Sequence, residues 1–154
     1  MSKRIITLGT WEGKSIEWLV LKEEGFATFC VSKIVLFTYC YNGDANKGND
    51  YAKSDIRKYL NSNFFKTAFS DVEKKKIINV KNTDSNTKDN IFLLSKSEIV
   101  NLMSNGERIC GDYWYTRTPS NNERVYDHNH DVASFSTYLT KINGIRPAMW
   151  VKEK

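Results

Sequence analysis

Asp127-His128-Asn129-His130-Asp131 gathers both histidines of the chain between two carboxylates. Alternate side chains of a strand share a face, so His128 and His130 could offer their imidazoles to one metal ion. Zinc sites ordinarily draw a third ligand from the protein, and no cysteine or HExxH helix stands near to supply it. The segment is therefore expected to be an exposed polar loop, with neither a metal nor any other cofactor. Asp44-Ala45-Asn46-Lys47-Gly48-Asn49-Asp50 has the composition of a calcium loop. Its glycine falls one position early, however, and Asp55 stands where a glutamate closes such loops, so a turn is expected instead.

Nucleophilic and nucleotide chemistry find no foothold. The sequence holds no GxSxG elbow, no P-loop, no GxGxxG and no Cys–His pair at a known spacing, so an enzyme is not expected. Two arginines stand out instead. Trp114-Tyr115-Thr116-Arg117-Thr118-Pro119 and Gly144-Ile145-Arg146-Pro147-Ala148-Met149-Trp150 each place an arginine one or two residues before a proline, inside an aromatic and aliphatic run. A buried guanidinium must be paired. Arg117 and Arg146 are thus expected to be structural, bonding backbone carbonyls or a carboxylate such as Asp55 or Glu98. The other reading is an anion-binding pair. Trp114, Pro119, Pro147 and Trp150 belong to the same framework.

The elements that must position these residues fall into three blocks. The first is β. Strands are expected over 4–9, ending at Gly9, and over 16–21, where a nearly continuous apolar run reads as buried on both faces. Glu23-Glu24-Gly25 turns the chain into a returning strand over 26–32. The middle is helical. Ser54 caps a helix carrying Ile56, Tyr59 and Leu60, a bend at 61–63 precedes Phe64 and Phe65, and Ser70–Glu73 and Ser95–Glu98 form capping boxes. Helix two ends near Asn105-Gly106. The segment 81–90 is polar and aperiodic and reads as a mobile surface loop, followed by a strand over 91–94. The last block returns to β: 114–118, a turn at 120–123, then 124–126, 133–139 and 145–151. Strands at both ends of the order, with helices between, imply an α+β fold with an antiparallel or mixed sheet and helices to one side.

Composition bounds the rest. The 154 residues suit a single domain over 1–154, and 40% hydrophobic with 13% aromatic residues argue against disorder. The formal charge of +5 permits an acidic partner without requiring one. Three cysteines without CxxC spacing suit a reducing compartment, the opening residues lack a signal-peptide pattern, and no run reaches membrane-spanning length, so a cytoplasmic protein is expected.

Taken in order, the Ser54–Asn61 run, Phe65 with Ala68-Phe69-Ser70 and Glu73, Asp89–Ser95 with Glu98, and the two arginine segments resemble an uncharacterised bacterial and phage domain family. The likeness runs from about Trp18 to Val151. Tyr51, Tyr115, Thr116 and Ser120 depart from that family's usual residues. The resemblance implies a C-type-lectin-like fold, distantly related to sulfatase-modifying (formylglycine-generating) domains. It further implies N- and C-terminal strands side by side, two or three helices flanking a twisted sheet, and a long irregular region that carries ligand contacts. Those relatives use paired cysteines near the C-terminal end, whereas Cys110 stands alone here, so their oxidation chemistry is not expected.

The function expected is a non-catalytic binding module for a protein or glycan, using loops between 112 and 140. Tyr113, Tyr115, Arg124, Tyr126 and His128 are its candidate ligand-binding residues, tyrosine and arginine being common interface anchors. The alternative is a phage-type inhibitor acting on a nucleic-acid-handling enzyme, or on nucleic acid, through its basic surface. An enzyme related to sulfatase-modifying proteins is the third reading. No membrane partner is expected.

Overall fold

The computed structural model describes residues 3–110, 113–119, 124–128 and 134–153. Strands β1 (Ile5–Trp11), β2 (Lys14–Glu24) and β3 (Ala27–Ser32) form an antiparallel meander, followed by the short β4 (Phe37–Tyr39). Single 3₁₀ turns at Ala45–Lys47 and Tyr51–Lys53 lead into α1 (Asp55–Tyr59), a π turn (Leu60–Phe64), α2 (Phe65–Ala68) and α3 (Asp71–Lys74). Then come β5 (Ile77–Ile78), β6 (Val80–Asn82) and β7 (Thr87–Asp89), and the helices α4 (Lys96–Leu102) and α5 (Asn105–Arg108). The chain closes with β8 (Trp114–Pro119), β9 (Arg124–His128), β10 (Ser134–Tyr138), β11 (Asn143–Ile145) and β12 (Ala148–Lys152). The architecture is α+β, rich in strands with few helices, and built on a curled antiparallel sheet.

The first sheet has the order β1-β2-β3-β12-β5 and the second β10-β9-β8-β11-β4, while β6 and β7 pair alone. Alternation along the first sheet feeds two cores. Ile16, Trp18, Cys30, Met149 and Val151 point to one, with Ile56, Leu60, Phe64 and Phe69 from the helical segment over them. Leu19, Leu21, Phe29, Val31 and Ala148 point to the other, covered by Phe92, Leu94, Ile99, Met103 and Trp114. Apart from exposed Glu17, the 16–21 run is therefore buried on both faces, as its nearly continuous hydrophobicity implies. Helices consequently lie on both faces of this sheet, not on one side: an antiparallel sheet with two apolar faces needs a cover on each.

Several local expectations are revised. β1 does not stop at Gly9 but runs on to Trp11 through a bulge between Thr7 and Thr10. Gly9 has φ +76°, and a Cβ there would lie 2.7 Å from the carbonyl oxygen of Ala68. Glycine at this point lets the helical segment touch the strand, and it does not end it. The bend at 61–63 is the π turn. There the Asn61 amide donates to the carbonyls of Arg57 and Ile91 and accepts from the N–H groups of Asn90 and Ile91. α4 ends at Met103, and a third capping box, Ser104 with Glu107, restarts the chain as α5. Gly106 thus lies inside a helix and caps none.

Residues 81–90 are not a mobile loop. They form most of the β6–β7 hairpin, whose inward face is polar: Asn82, Thr87 and Asp89 are all buried. The 91–94 segment is fully buried but forms no strand of its own: Phe92 exchanges two hydrogen bonds with Ala148, and the Leu94 carbonyl accepts the Arg117 N–H of β8. Residues 145–151 split into two strands at Arg146-Pro147, one in each sheet. β1 and β12 share the first sheet without being neighbours, β12 lying between β3 and β5. The curl still brings the ends together, with Arg4 Nη2 2.6 Å from Glu153 Oε2. No helix among the described residues is long and apolar enough to cross a membrane.

Candidate functional site

Arg146 sits at the corner where the chain passes from the second sheet to the first, and it is fully buried. Its Nε donates to the carbonyl of Ser32 at 3.1 Å, Nη1 to that of Glu107 at 2.9 Å and Nη2 to that of Lys33 at 3.0 Å. The guanidinium lies over the indole of Trp114, 4.7 Å from the ring centre. That indole in turn donates to the carbonyl of Arg108 at 3.0 Å. No carboxylate pairs with Arg146 among the described residues, and burial pushes its guanidinium below the ordinary arginine value.

Arg117 is equally hidden but differently held. It donates to Glu98 Oε1 at 2.7 Å, to Asp84 Oδ1 at 3.1 Å and to the carbonyl of Leu93 at 2.7 Å, and it faces the Phe92 ring at 5.5 Å. Burial alone would lower its pKa, but the two carboxylates outweigh it and the shift is upward. Glu98 is the partner expected from the sequence. Asp55 is not: its carboxylate accepts from the Gly43 N–H and pairs with Lys47 Nζ at 2.6 Å. Neither guanidinium opens onto a surface that could take up an anion, because each is enclosed by protein groups. Pro147 accepts the Ser32 N–H through its carbonyl, Pro119 ends β8, and Trp150 stacks on Phe29 at 5.0 Å.

The candidate ligand-binding residues separate. Tyr115 is fully buried, its hydroxyl donating to the carbonyls of Tyr138 and Lys141. It is a core residue that ties β8 to the turn after β10 and presents no ring to a partner. The reason is the alternation of β8, which turns this side chain toward Tyr41. Tyr113 is exposed at 38%, and Lys141 Nζ lies 5.4 Å from its ring centre. Arg124, Tyr126 and His128 fall on β9, whose backbone pairs with β8 and β10, but their side chains lie outside the described residues. His130 and the rest of 129–133 lie outside them as well.

Two residues absent from the sequence-based set join Tyr113. Tyr138 is 61% exposed and Ile142 59% exposed. The Lys141 N–H bonds the Tyr138 carbonyl at 3.1 Å and the Gly144 N–H bonds the Tyr113 carbonyl at 2.8 Å, so one turn gathers Tyr113, Tyr138, Lys141 and Ile142. Gly144 makes this approach feasible: a Cβ there would lie 2.7 Å from the Tyr113 carbonyl oxygen and 2.8 Å from Val35 Cγ2. Exposed Ile34 precedes that valine and lines a groove of about 360 Å³ with Trp11, Ile16 and Leu36. Sequence pattern gave no signal for Tyr138, since an alternating strand does not say which face meets water, nor for Ile142, an apolar residue in the turn between β10 and β11.

The carboxylates of the 44–50 turn serve the backbone. Asp44 accepts from the Asn46 N–H at 2.9 Å, and Asp50 caps the Ala52 N–H at 3.0 Å. Among the described residues no three acidic, histidine or cysteine side chains form a group that could hold a metal.

Fold and anchors together define a strand-rich α+β domain, locked by two enclosed arginines and carrying a tyrosine-rich turn on its surface. Residues 18–153 match the family described as a domain of unknown function (DUF6273), and the chain belongs to that family. The match spans the same stretch as the ordered motifs read from the sequence. No curated protein and no solved structure matches the chain, so no match links it to lectin-like or sulfatase-modifying proteins.

Proposed function

We propose that this chain is a non-catalytic binding module of C-type-lectin-like fold, which recognises a protein or glycan through the end of the molecule formed by β8, β10 and β11. The observation that carries this reading is the exposed cluster of Tyr113, Tyr138 and Ile142 around Lys141. Soluble chains seldom leave several large apolar side chains together on one surface without a use for them. Tyrosine suits such a face because its ring gives contact area and its hydroxyl a hydrogen bond. The scaffold supports the same reading: the Tyr115 hydroxyl clamps the backbone of the turn at Tyr138 and Lys141, so that the main chain carrying this face is fixed before any partner arrives.

A glycan array, together with cross-linking through a photoreactive residue at position 138, tests this. Tyr113→Ala combined with Tyr138→Ala should weaken the captured partner about tenfold or more, with the melting temperature held because both side chains are exposed. Full affinity in the double variant, or cross-links that map to another face, would remove the cluster from recognition.

A further inference from the structure

We infer that a second, separate face, the cleft between the 39–63 segment and the β6–β7 hairpin, docks single-stranded nucleic acid. Charge is the first observation. Residues 51–90 hold nine basic and five acidic side chains, so this stretch carries four of the five net positive charges of the chain. A cleft of about 440 Å³ has Lys47, Lys53, Arg57 and Lys58 in its wall, with Lys66 and Lys74 to Lys76 lying away from it. Its two carboxylates are already neutralised: Asp89 receives the Arg57 Nε at 2.9 Å, and Asp55 receives Lys47. Lys53 and Lys58 are exposed and have no carboxylate partner among the described residues. They remain as exposed charges outside any ion pair among the described residues, with Asp55 a nearby counter-charge to Lys58.

A platform for bases is the second observation. A smaller hollow of about 290 Å³ adjoins the first, sharing Asp55, Lys58 and Ser62 with it, and Tyr39 and Tyr59 line it. The two rings stack at 4.5 Å with 27° between their planes, and both are half-buried. A lysine-lined channel that runs into an aromatic pair is what a flexible polynucleotide requires: ammonium groups for successive phosphates and a π-face for a base. An acidic polypeptide would use the lysines but leave the tyrosines idle. The outer face of the β6–β7 hairpin extends the positive field, since exposed Lys81 and Lys88 stand directly opposite one another. Like charges in register oppose strand pairing, so their placement costs stability that an anionic partner would return.

The test is fluorescence anisotropy with a labelled oligothymidylate of about 15 nucleotides at about 50 and 200 mM salt. Affinity should fall steeply with salt. Lys53→Glu with Lys58→Glu should weaken binding at least about tenfold and flatten the log–log salt slope by about 1.4, two phosphate contacts at ~0.7 each. Lys14→Glu with Lys152→Glu, equally exposed and elsewhere, should bind as the unaltered chain does. An abasic strand of equal length should bind about tenfold more weakly, the loss of one stacked base. Circular dichroism melts confirm that each variant is folded. Absence of binding, wild-type affinity in the Lys53/Lys58 variant, equal affinity for the abasic strand, or equal affinity for polyglutamate would each overturn the proposal. The last of these would point to an acidic protein instead.

Discussion

Arg117 and Arg146 stand in matching local sequences, at matching depth, against an aromatic ring each, and yet the protein stabilises them by different means. Arg117 has two carboxylates, one of them on a surface residue, Asp84, whose side chain is 48% exposed. Arg146 has three carbonyl oxygens from two separate segments, Ser32-Lys33 and Glu107, together with the Cys110 side chain. The first arrangement offsets a buried charge with opposite charge; the second spreads it over backbone dipoles and an indole face. Their opposite pKa directions follow directly. Arg117 therefore works as a clasp between the α4 cap, the 84 turn and β8. Arg146 is a keystone, since it ties the corner between β11 and β12 to the end of β3 and to α5.

This contrast can be broken by substitution. Arg146→Ala should have the largest effect, about 4 kcal/mol by urea denaturation, because it leaves three carbonyls and a cavity under Trp114. Arg117→Ala should cost less, about 2–3 kcal/mol, since Asp84 and Glu98 can rehydrate once their partner is gone. The reverse order would mean that counter-charge, not backbone satisfaction, holds the corner. Asp84→Asn should lie within about 1 kcal/mol of the unaltered protein, being a half-exposed ion pair. Acid sharpens the contrast further, because carbonyl anchors do not titrate and carboxylate anchors do. The Glu73 carboxyl is held below its ordinary value by the N–H groups of Ser70 and Gly9. Its stabilising share is complete above pH 4.5, the unperturbed value, and disappears as pH falls through the lowered folded value. Glu73→Gln should therefore flatten the acid limb of a stability–pH profile, whereas Arg146→Ala should leave its shape unchanged.

How far the sequence could be read depended on whether local chemistry and burial agreed. The capping boxes at Ser70 and Ser95, the first hairpin and the two-faced strand over 16–21 were all open to reading, because there pattern and environment coincide. The β6–β7 hairpin was not, because it hides Asn82, Thr87 and Asp89 where hydrophobic residues would have announced a strand. Asp89 looks like loop polarity until Arg57 is placed against it. The sheet switch at Arg146 was hidden for another reason. The apolar residues on either side of Arg146-Pro147 show burial without saying in which sheet. In the candidate site, Tyr113 and Tyr115 are two residues apart with opposite environments, because Tyr113 precedes β8 and Tyr115 lies within it.

The position of β12 has a consequence for how the protein is made. The strand that completes the first sheet, lying between β3 and β5, comes from residues 148–152, far along the chain from both of its neighbours. As a nascent chain leaves the ribosome, β3 therefore waits with an open edge while residues 33–147 are added behind it. Chains cut before Ala148 should accumulate as aggregates rather than as a smaller folded core, and chaperone demand should peak late in synthesis.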